Sequence, residues 1–372
     1  MSKPAFILEI GKLKKNLELI TSVAKATDVH IILALKAYSL WPTFPLIGEY
    51  LGGATASSLN EALLIMKHMG VKPHVYSPAY LPGQINEIAD LAGHLTMNSL
   101  GELERYREVW EAANCSVGLR INPEYSPVET DLYNPASPYG RLGETLPNLP
   151  ATPPKGLEGV HAHVLCESTA AHTAELIKRI EQQFGHYLAK MKWINLGGGH
   201  LMTKEGYDVE LLIATLKAFK QRHPHLEVII EPGSAIGWQT GYLRSTVLDV
   251  IENYGRRTAI LDVSFTCHMP DTLEMPYRPT IQGASEKEVA GAYAYQLGGV
   301  SCLAGDYLSE YWFKQPLLAG DEIIFNDMLH YTTVKTTMFN GVHHPDLSIQ
   351  HEDGRIETVR TFGYEDFESR LG

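Results

Sequence analysis

Residues 29–40 read VHIILALKAYSL. Five apolar residues, Ile31 to Leu35, run into one lysine, Lys36, and then into Ala-Tyr-Ser. A short apolar run of this kind is a buried strand, and lysine is among the residues least often buried without a partner. The stretch poses the question of why a core strand should end on an ammonium. The beat that it begins recurs down the chain. Apolar or β-branched runs follow at 52–57, 74–79, 94–99, 116–123, 159–164, 193–198 and 227–233, which with 30–35 makes eight. Between most of them lie amphipathic stretches with helix caps. Residues 58–70 open on Ser58 and end on Gly70, and 99–114 open on Ser99 with Glu102 three residues on. Residues 170–190 and 208–223 keep the same period. Eight strand–helix units in about 200 residues match a (β/α)8 TIM barrel. An open doubly wound sheet would share the local rhythm, and the count of eight decides for the barrel.

The chain has 372 residues, more than one simple core usually supports. After about residue 240 its character changes. STVLDVIEN, RRTAILDVSF, TIQGAS, AYQLGGVSCL, DEIIFNDM and YTTVKTTMFNG read as strands joined by turns. The expected architecture is an α/β barrel over 11–240 and an all-β domain over 241–372, joined by an N-terminal strand at 1–10. The segment 124–155 interrupts the rhythm with seven of the chain's 21 prolines and reads as a long functional loop.

A formal net charge of −12 disfavours nucleic acid and anionic membrane as partners and suits a cationic small molecule. None of the four cysteines, Cys115, Cys166, Cys267 and Cys302, forms a C-x-x-C pair, which argues against a zinc ribbon or a thioredoxin-like motif. No apolar stretch reaches membrane-spanning length and no signal-like segment opens the chain, so a cytoplasmic protein is expected.

A barrel gathers its chemistry at the C-terminal ends of its strands. Lys36 ends the first strand, His163 the sixth, Gly197, Gly198 and Gly199 follow the seventh, and Glu231, Pro232 and Gly233 end the eighth. Desolvation lowers a lysine pKa and frees the amine to attack a carbonyl. The glycines of NLGGGH could wrap a phosphate, with Gly233 as a second contact. Glu231, at the end of an apolar run, needs a cationic partner. His163 is a flat ring that could stack on another. His161 and His163 also form an H-x-H pair that would suit a metal, but the sequence offers no obvious third ligand and no metal is expected. A lysine, a phosphate cradle, a carboxylate and a stacking ring together describe a site for pyridoxal 5′-phosphate, with Glu231 keeping the pyridine nitrogen protonated. The ammonium would then not be stored as a charge, because its nitrogen is bound to the cofactor.

The chain resembles the fold-type III pyridoxal-phosphate decarboxylases, the group that includes the ornithine, arginine and diaminopimelate decarboxylases. Within the group it is most similar to the carboxynorspermidine and carboxyspermidine decarboxylases. The resemblance spans nearly the whole chain. It is carried by LALKAYSLW (33–41), GLRINP (118–123), RLGE (141–144), HVLCES (163–168), NLGGG (195–199), EPGSAI (231–236), CHMPDTL (267–273), GVSCLAGD (299–306), YTTVKTTMFNG (331–341) and FGYEDF (362–367). It implies decarboxylation of carboxynorspermidine or carboxyspermidine in polyamine biosynthesis, with another basic or diamino acid, or amino-acid racemisation, as the alternatives.

By the same resemblance Lys36 holds the cofactor, His163 stacks on its ring, Glu231 faces the pyridine nitrogen, and Gly197 to Gly199, Gly233 and Tyr331 surround the phosphate. Cys302 and Asp306 resemble residues that enter the site from the other subunit of a homodimer, Cys302 as proton donor and Asp306 as a substrate contact. Asp271 resembles a substrate-binding acid. Ser234 stands where ornithine decarboxylases typically carry an arginine on the phosphate, and where many carboxynorspermidine decarboxylases carry a glutamate near the substrate. A serine can hydrogen-bond there but cannot neutralise an amine.

Overall fold

The computed structural model describes residues 3–128, 133–275 and 277–372. Residues 1–2 of the expected N-terminal strand and 129–132 of the proline-rich segment lie outside these. The chain divides into two compact units, Asn16–Ile236 and the segment up to Lys15 together with Gly237–Gly372.

In the Asn16–Ile236 unit the eight expected runs are all strands of one parallel sheet. Ala54–Ala56, His74–Tyr76, His94–Met97, Ser116–Asn122, Gly159–His161, Trp193–Asn195 and Glu227–Ile230 follow one another in chain order. The ring closes through residues 30–34. His30–Ile31 pairs with Glu227–Ile230, and Leu33–Ala34 pairs with Ala54–Ala56. The change of partner falls at Ile32, whose N–H donates to Ile230 O at 3.0 Å, while the next N–H donates to Gly53 O at 3.0 Å. One stave therefore completes the barrel from both sides.

Trp193 fills the barrel interior. A Cβ on Gly159 would lie 2.0 Å from its ring, and one on Gly118 would lie 2.2 Å away, so two adjoining staves leave out a side chain to admit the indole. Its N–H donates to Ser116 Oγ at 2.8 Å, satisfying the polar end of a buried aromatic.

Helix caps act as the sequence requires. Ser58 Oγ accepts the Glu61 N–H at the start of Leu59–Met69, and Gly70 closes that helix at φ 69°. The stretch expected as one helix at 99–114 is two, Leu100–Arg105 and Arg107–Ala112, broken at Tyr106. Tyr106 is buried and its hydroxyl donates to Tyr80 O at 3.2 Å, a tertiary bond that outweighs the helical period. Phe44–Tyr50 and Ile85–Leu91 are helices that the periodicity did not mark.

The other unit is built on a mostly antiparallel nine-stranded sheet. Its longest strand, Gly241–Asn253, pairs with Ala5–Glu9, Arg256–Leu261 and Glu322–Asn326. Three strands, Tyr307–Phe313, Asp346–Gln350 and Ile356–Arg360, were not expected. YTTVKTTMFNG, in contrast, is not a strand. It forms two short 3-10 turns, Thr332–Val334 and Phe339–Gly341. Its β-rich composition loses to specific bonds: Thr332 Oγ1 donates to Asp271, Thr337 N–H donates to Cys267 O, and Tyr331 and Asn340 both take positive φ. RRTAILDVSF likewise stops short as a strand, because Ser264 caps a helix at Phe265–His268.

Candidate active site

The first stave ends in a tight turn. The N–H groups of Ala37 and Tyr38 both donate to Ala34 O, and Tyr38 is anchored in the core with its hydroxyl 3.0 Å from Thr43 Oγ1. This turn presents Lys36 at the C-terminal end of the barrel. Its side chain is accessible to solvent, as a group opening into a concave mouth must be, but the surrounding protein holds its pKa below the ordinary lysine value. Burial is the main cause, Arg120 adds to it, and Glu231 opposes it.

Lys36 Nζ lies 3.3 Å from His163 Nε2. The other nitrogen, Nδ1, accepts the Gly198 N–H at 3.3 Å. A ring that accepts on Nδ1 carries its proton on Nε2 and meets Lys36 as a donor, which requires a free amine lone pair. Burial, Lys36 and Arg120 all push the His163 pKa well below its usual value, so the ring is neutral. The lowered pKa moves Lys36 toward the free amine, the form in which a lysine is nucleophilic.

Glu231 is 4% exposed at the end of Glu227–Ile230. Asn195 Nδ2 donates to Oε1 at 2.6 Å. Oε2 has no hydrogen-bond donor among the described residues; His163 Nδ1 lies 3.8 Å and His161 Nε2 3.9 Å from it, beyond hydrogen-bond reach. A buried carboxylate with one satisfied oxygen and one free oxygen fits a protonated ring nitrogen. Arg120, which the residue-level reading did not single out, belongs to the same group. It is buried on Ser116–Asn122, donates to His163 O at 2.7 Å and lies over the Tyr76 ring at 4.6 Å. An arginine inside an otherwise apolar stave, GLRIN, was the signal available for it.

The glycine run has a double task. The Gly197 N–H is taken by Asn195 Oδ1 at 2.8 Å and the Gly198 N–H by His163, so these two N–H groups are engaged within the protein. A Cβ on Gly197 would lie 2.6 Å from His163, and one on Gly199 would lie 2.3 Å from the Leu165 backbone. The glycines therefore let the loop pack against His163 and hold it. No acceptor is seen for the Gly199 N–H among the described residues. On the neighbouring loop, Gly233 lies against the lysine turn, where a Cβ would meet Ala37 at 2.4 Å, and Ser234 opens the turn Ser234–Gly237. Lysine amine, neutral ring, donor-free carboxylate oxygen and close-packed glycines fit pyridoxal phosphate.

The remaining expected residues belong to the sheet unit. Asp271 is buried, and its Oδ2 accepts from Tyr277 Oη at 2.6 Å and Thr332 Oγ1 at 2.9 Å, while Oδ1 has no partner among the described residues. Tyr277, not marked in the sequence, is pushed well above the usual phenol pKa by burial and by Asp271. Asp306 is also buried, and its own chain supplies four donors. Oδ1 accepts from Thr266 N–H and Oγ1, and Oδ2 from Ser301 N–H and Oγ. Both of its oxygens are thus engaged within the chain. Cys302 is exposed on the loop so held, with its N–H donating to Asn340 Oδ1 at 2.9 Å. Tyr331 adopts φ 49°, costly for a bulky residue.

The family model for pyridoxal-dependent decarboxylases, C-terminal sheet domain, matches residues 27–328. The chain is 51% identical over its full length to a carboxyaminopropylagmatine decarboxylase of Synechocystis, covering 96% of that protein. It is 41% identical over 99% of its length to a carboxynorspermidine/carboxyspermidine decarboxylase of Campylobacter jejuni, covering 98% of that protein. The crystal structure of a Campylobacter jejuni carboxynorspermidine decarboxylase complexed with norspermidine superposes with a TM-score of 0.92 at 40% identity, covering both chains completely. A Helicobacter pylori diaminopimelate decarboxylase complexed with L-lysine shares the fold, with a TM-score of 0.83 at 20% identity over 100% of this chain and 98% of that one. The lysine at the mouth of this barrel is thus that of a pyridoxal 5′-phosphate enzyme, and the chain belongs to the family of pyridoxal-dependent decarboxylases.

Proposed function

We propose that the chain decarboxylates an α-carboxylated polyamine of the class formed by carboxynorspermidine, carboxyspermidine and carboxyaminopropylagmatine. The observation that carries this reading is full-length identity of 51% and 41% to decarboxylases named for these compounds. The three share an amino-acid head and differ in the distal cation, an ammonium in the first two and a guanidinium in the third.

When bound, pyridoxal phosphate supplies the electron sink into which the electrons of the breaking Cα–carboxylate bond pass. Lys36 would hold the cofactor through its amine, leaving that position open to the α-amine of the substrate. His163, kept neutral, offers a flat face, and Gly198 fixes its orientation. Glu231 Oε2 holds a proton at the pyridine nitrogen, while Asn195 keeps that carboxylate turned toward it. Gly199, Gly233 and Ser234 serve the phosphate end or the substrate beside it, a place that the resemblance gives to Tyr331 as well. Asp271 offers its unpaired Oδ1 to the distal cation, and Cys302, acting at the site of a second copy, returns a proton to Cα. A homodimer is part of the proposal because the resemblance gives Cys302 that place.

A panel assay of CO₂ release and product mass tests the reading, using the three carboxylated polyamines with ornithine, lysine, arginine and diaminopimelate. Turnover is expected with the carboxylated polyamines, and the guanidinium compound is preferred, in line with the higher identity to the carboxyaminopropylagmatine decarboxylase. Higher kcat/KM on ornithine, lysine or diaminopimelate than on all three polyamines would overturn it.

A further inference from the structure

We propose that His161, His163 and Glu231 form a site for one divalent transition ion of the zinc class, open to the cofactor-free chain and closed once the cofactor is seated. The H-x-H pair lacked a third ligand in the sequence. The barrel supplies it, because Gly159–His161 and Glu227–Ile230 flank the same neighbouring strand, Trp193–Asn195. One nitrogen from each histidine and one oxygen of Glu231 lie within 4.8 Å of one another.

Two further observations point to a ligand at this spot. His161 is 1% exposed, yet neither ring nitrogen has a hydrogen-bond partner among the described residues. Burying such groups unpaired is costly, and one coordinate bond would satisfy the nitrogen that faces Glu231. Glu231 Oε2 meets no donor within hydrogen-bond reach among the described residues and lies 3.8 Å from His163 Nδ1 and 3.9 Å from His161 Nε2. Two imidazoles and one carboxylate make a complete three-ligand zinc set with a fourth position left open.

Tetrahedral bonds of about 2.0–2.1 Å bring donor atoms to about 3.4 Å apart, so the three side chains must close in by about 0.5–1.4 Å. His163 gives up its long contact with Gly198 N–H to do so. Arg120 opposes the ion electrostatically, which favours a metal that binds imidazole strongly over magnesium or calcium. Since Glu231 Oε2 and His163 are the groups that serve the cofactor, ion and cofactor exclude each other.

The test uses the full-length chain stripped of cofactor, with Co²⁺ as spectroscopic probe and Zn²⁺ as competitor. One Co²⁺ per chain is expected, with the visible bands of a four- or five-coordinate centre, displaced by Zn²⁺ and lost on reloading with pyridoxal phosphate. Zinc added first should slow recovery of the cofactor's visible absorbance, and a chelator should restore it. His161→Gln should weaken Co²⁺ binding about 100-fold while still taking up cofactor. If that variant fails to fold, X-ray absorption at the cobalt edge of the native chain should read two imidazole nitrogens. No stoichiometric binding, binding undiminished in the loaded enzyme, binding undiminished in folded His161→Gln, or an edge spectrum without imidazole would each overturn the proposal. None of these readouts depends on which polyamine is the substrate.

Discussion

In the proposed function Lys36 and Glu231 divide the chemistry of the barrel mouth between a nucleophile and a proton holder. Removing each should leave a different signature. Lys36→Ala deletes the amine that His163 meets at 3.3 Å, so both the cofactor's visible absorbance and decarboxylation should disappear, the latter by at least roughly 10²–10⁴-fold. Turnover retained in that variant would end the assignment of Lys36. Glu231→Gln keeps the shape and the Asn195 contact but cannot hold a proton at the pyridine nitrogen. Cofactor absorbance should survive while kcat falls about 10²–10³-fold, the scale of losing one aligned electrostatic partner. A kcat within a factor of a few of the parent would show that the carboxylate serves only to fill a polar pocket. The residue scale also shows how the glycine run works: the absence of Cβ atoms at Gly197 and Gly199 lets protein approach protein, and so fixes the ring that the chemistry needs.

At the scale of elements, the loop that carries Cys302 is braced from two sides, by Asp306 through Ser301 and Thr266 and by Asn340 through the Cys302 N–H. Gly299 belongs to the brace, since a Cβ there would lie 2.3 Å from Asp306 Oδ2. Asp306→Ala leaves four donors without their acceptor and should cost about 1–3 kcal/mol of stability, seen as a lower Tm, and speed alkylation of Cys302. Were Asp306 a substrate contact instead, KM would rise while Tm and alkylation held steady, so one variant separates the two roles. This distinction was not legible in the sequence. The staves of the barrel were, because parallel strands buried on both faces read as continuous apolar runs, and their ends pointed to Lys36, His163 and Glu231. The role of Asp306 depends on Thr266, far from it in the chain, and YTTVKTTMFNG was misread because Thr332 answers to Asp271, 61 residues away. The same limit hid Glu231 as the third member of the histidine pair: only barrel closure brings it there.

Over the whole molecule, buried neutral histidines set the response to acid. His74 is pushed down to about 3 by burial, with His94 and His30 adding to the effect and Glu231 opposing it. His200 is pushed to about 4 by burial alone. His268, whose Nδ1 accepts the Ser264 N–H, is pushed to about 3 by burial and His344, against Asp306. The first two belong to the barrel unit and the third to the sheet unit. In the unfolded chain each would titrate near 6.5. Below that pH the unfolded state binds protons that the native state refuses, so stability falls as pH drops, and the loss continues down to the folded pKa. Each histidine contributes about 1.4 kcal/mol per pH unit in this window, and three give about 4, against a total stability of about 5–15 kcal/mol for a typical domain. Exposed carboxylates such as Glu104 and Glu175 have pKa values lowered by neighbouring arginines, but surface pairs are worth little and do not reverse the trend. Urea unfolding across pH should therefore show near-constant stability from about pH 7 to 8 and a steep fall from about pH 6 to 4.5. His268→Gln, which has no proton to gain, should reduce the slope by about 1.4 kcal/mol per unit. Stability that stays level down to pH 4.5 would mean that these rings reach water or a proton-accepting partner in the native state.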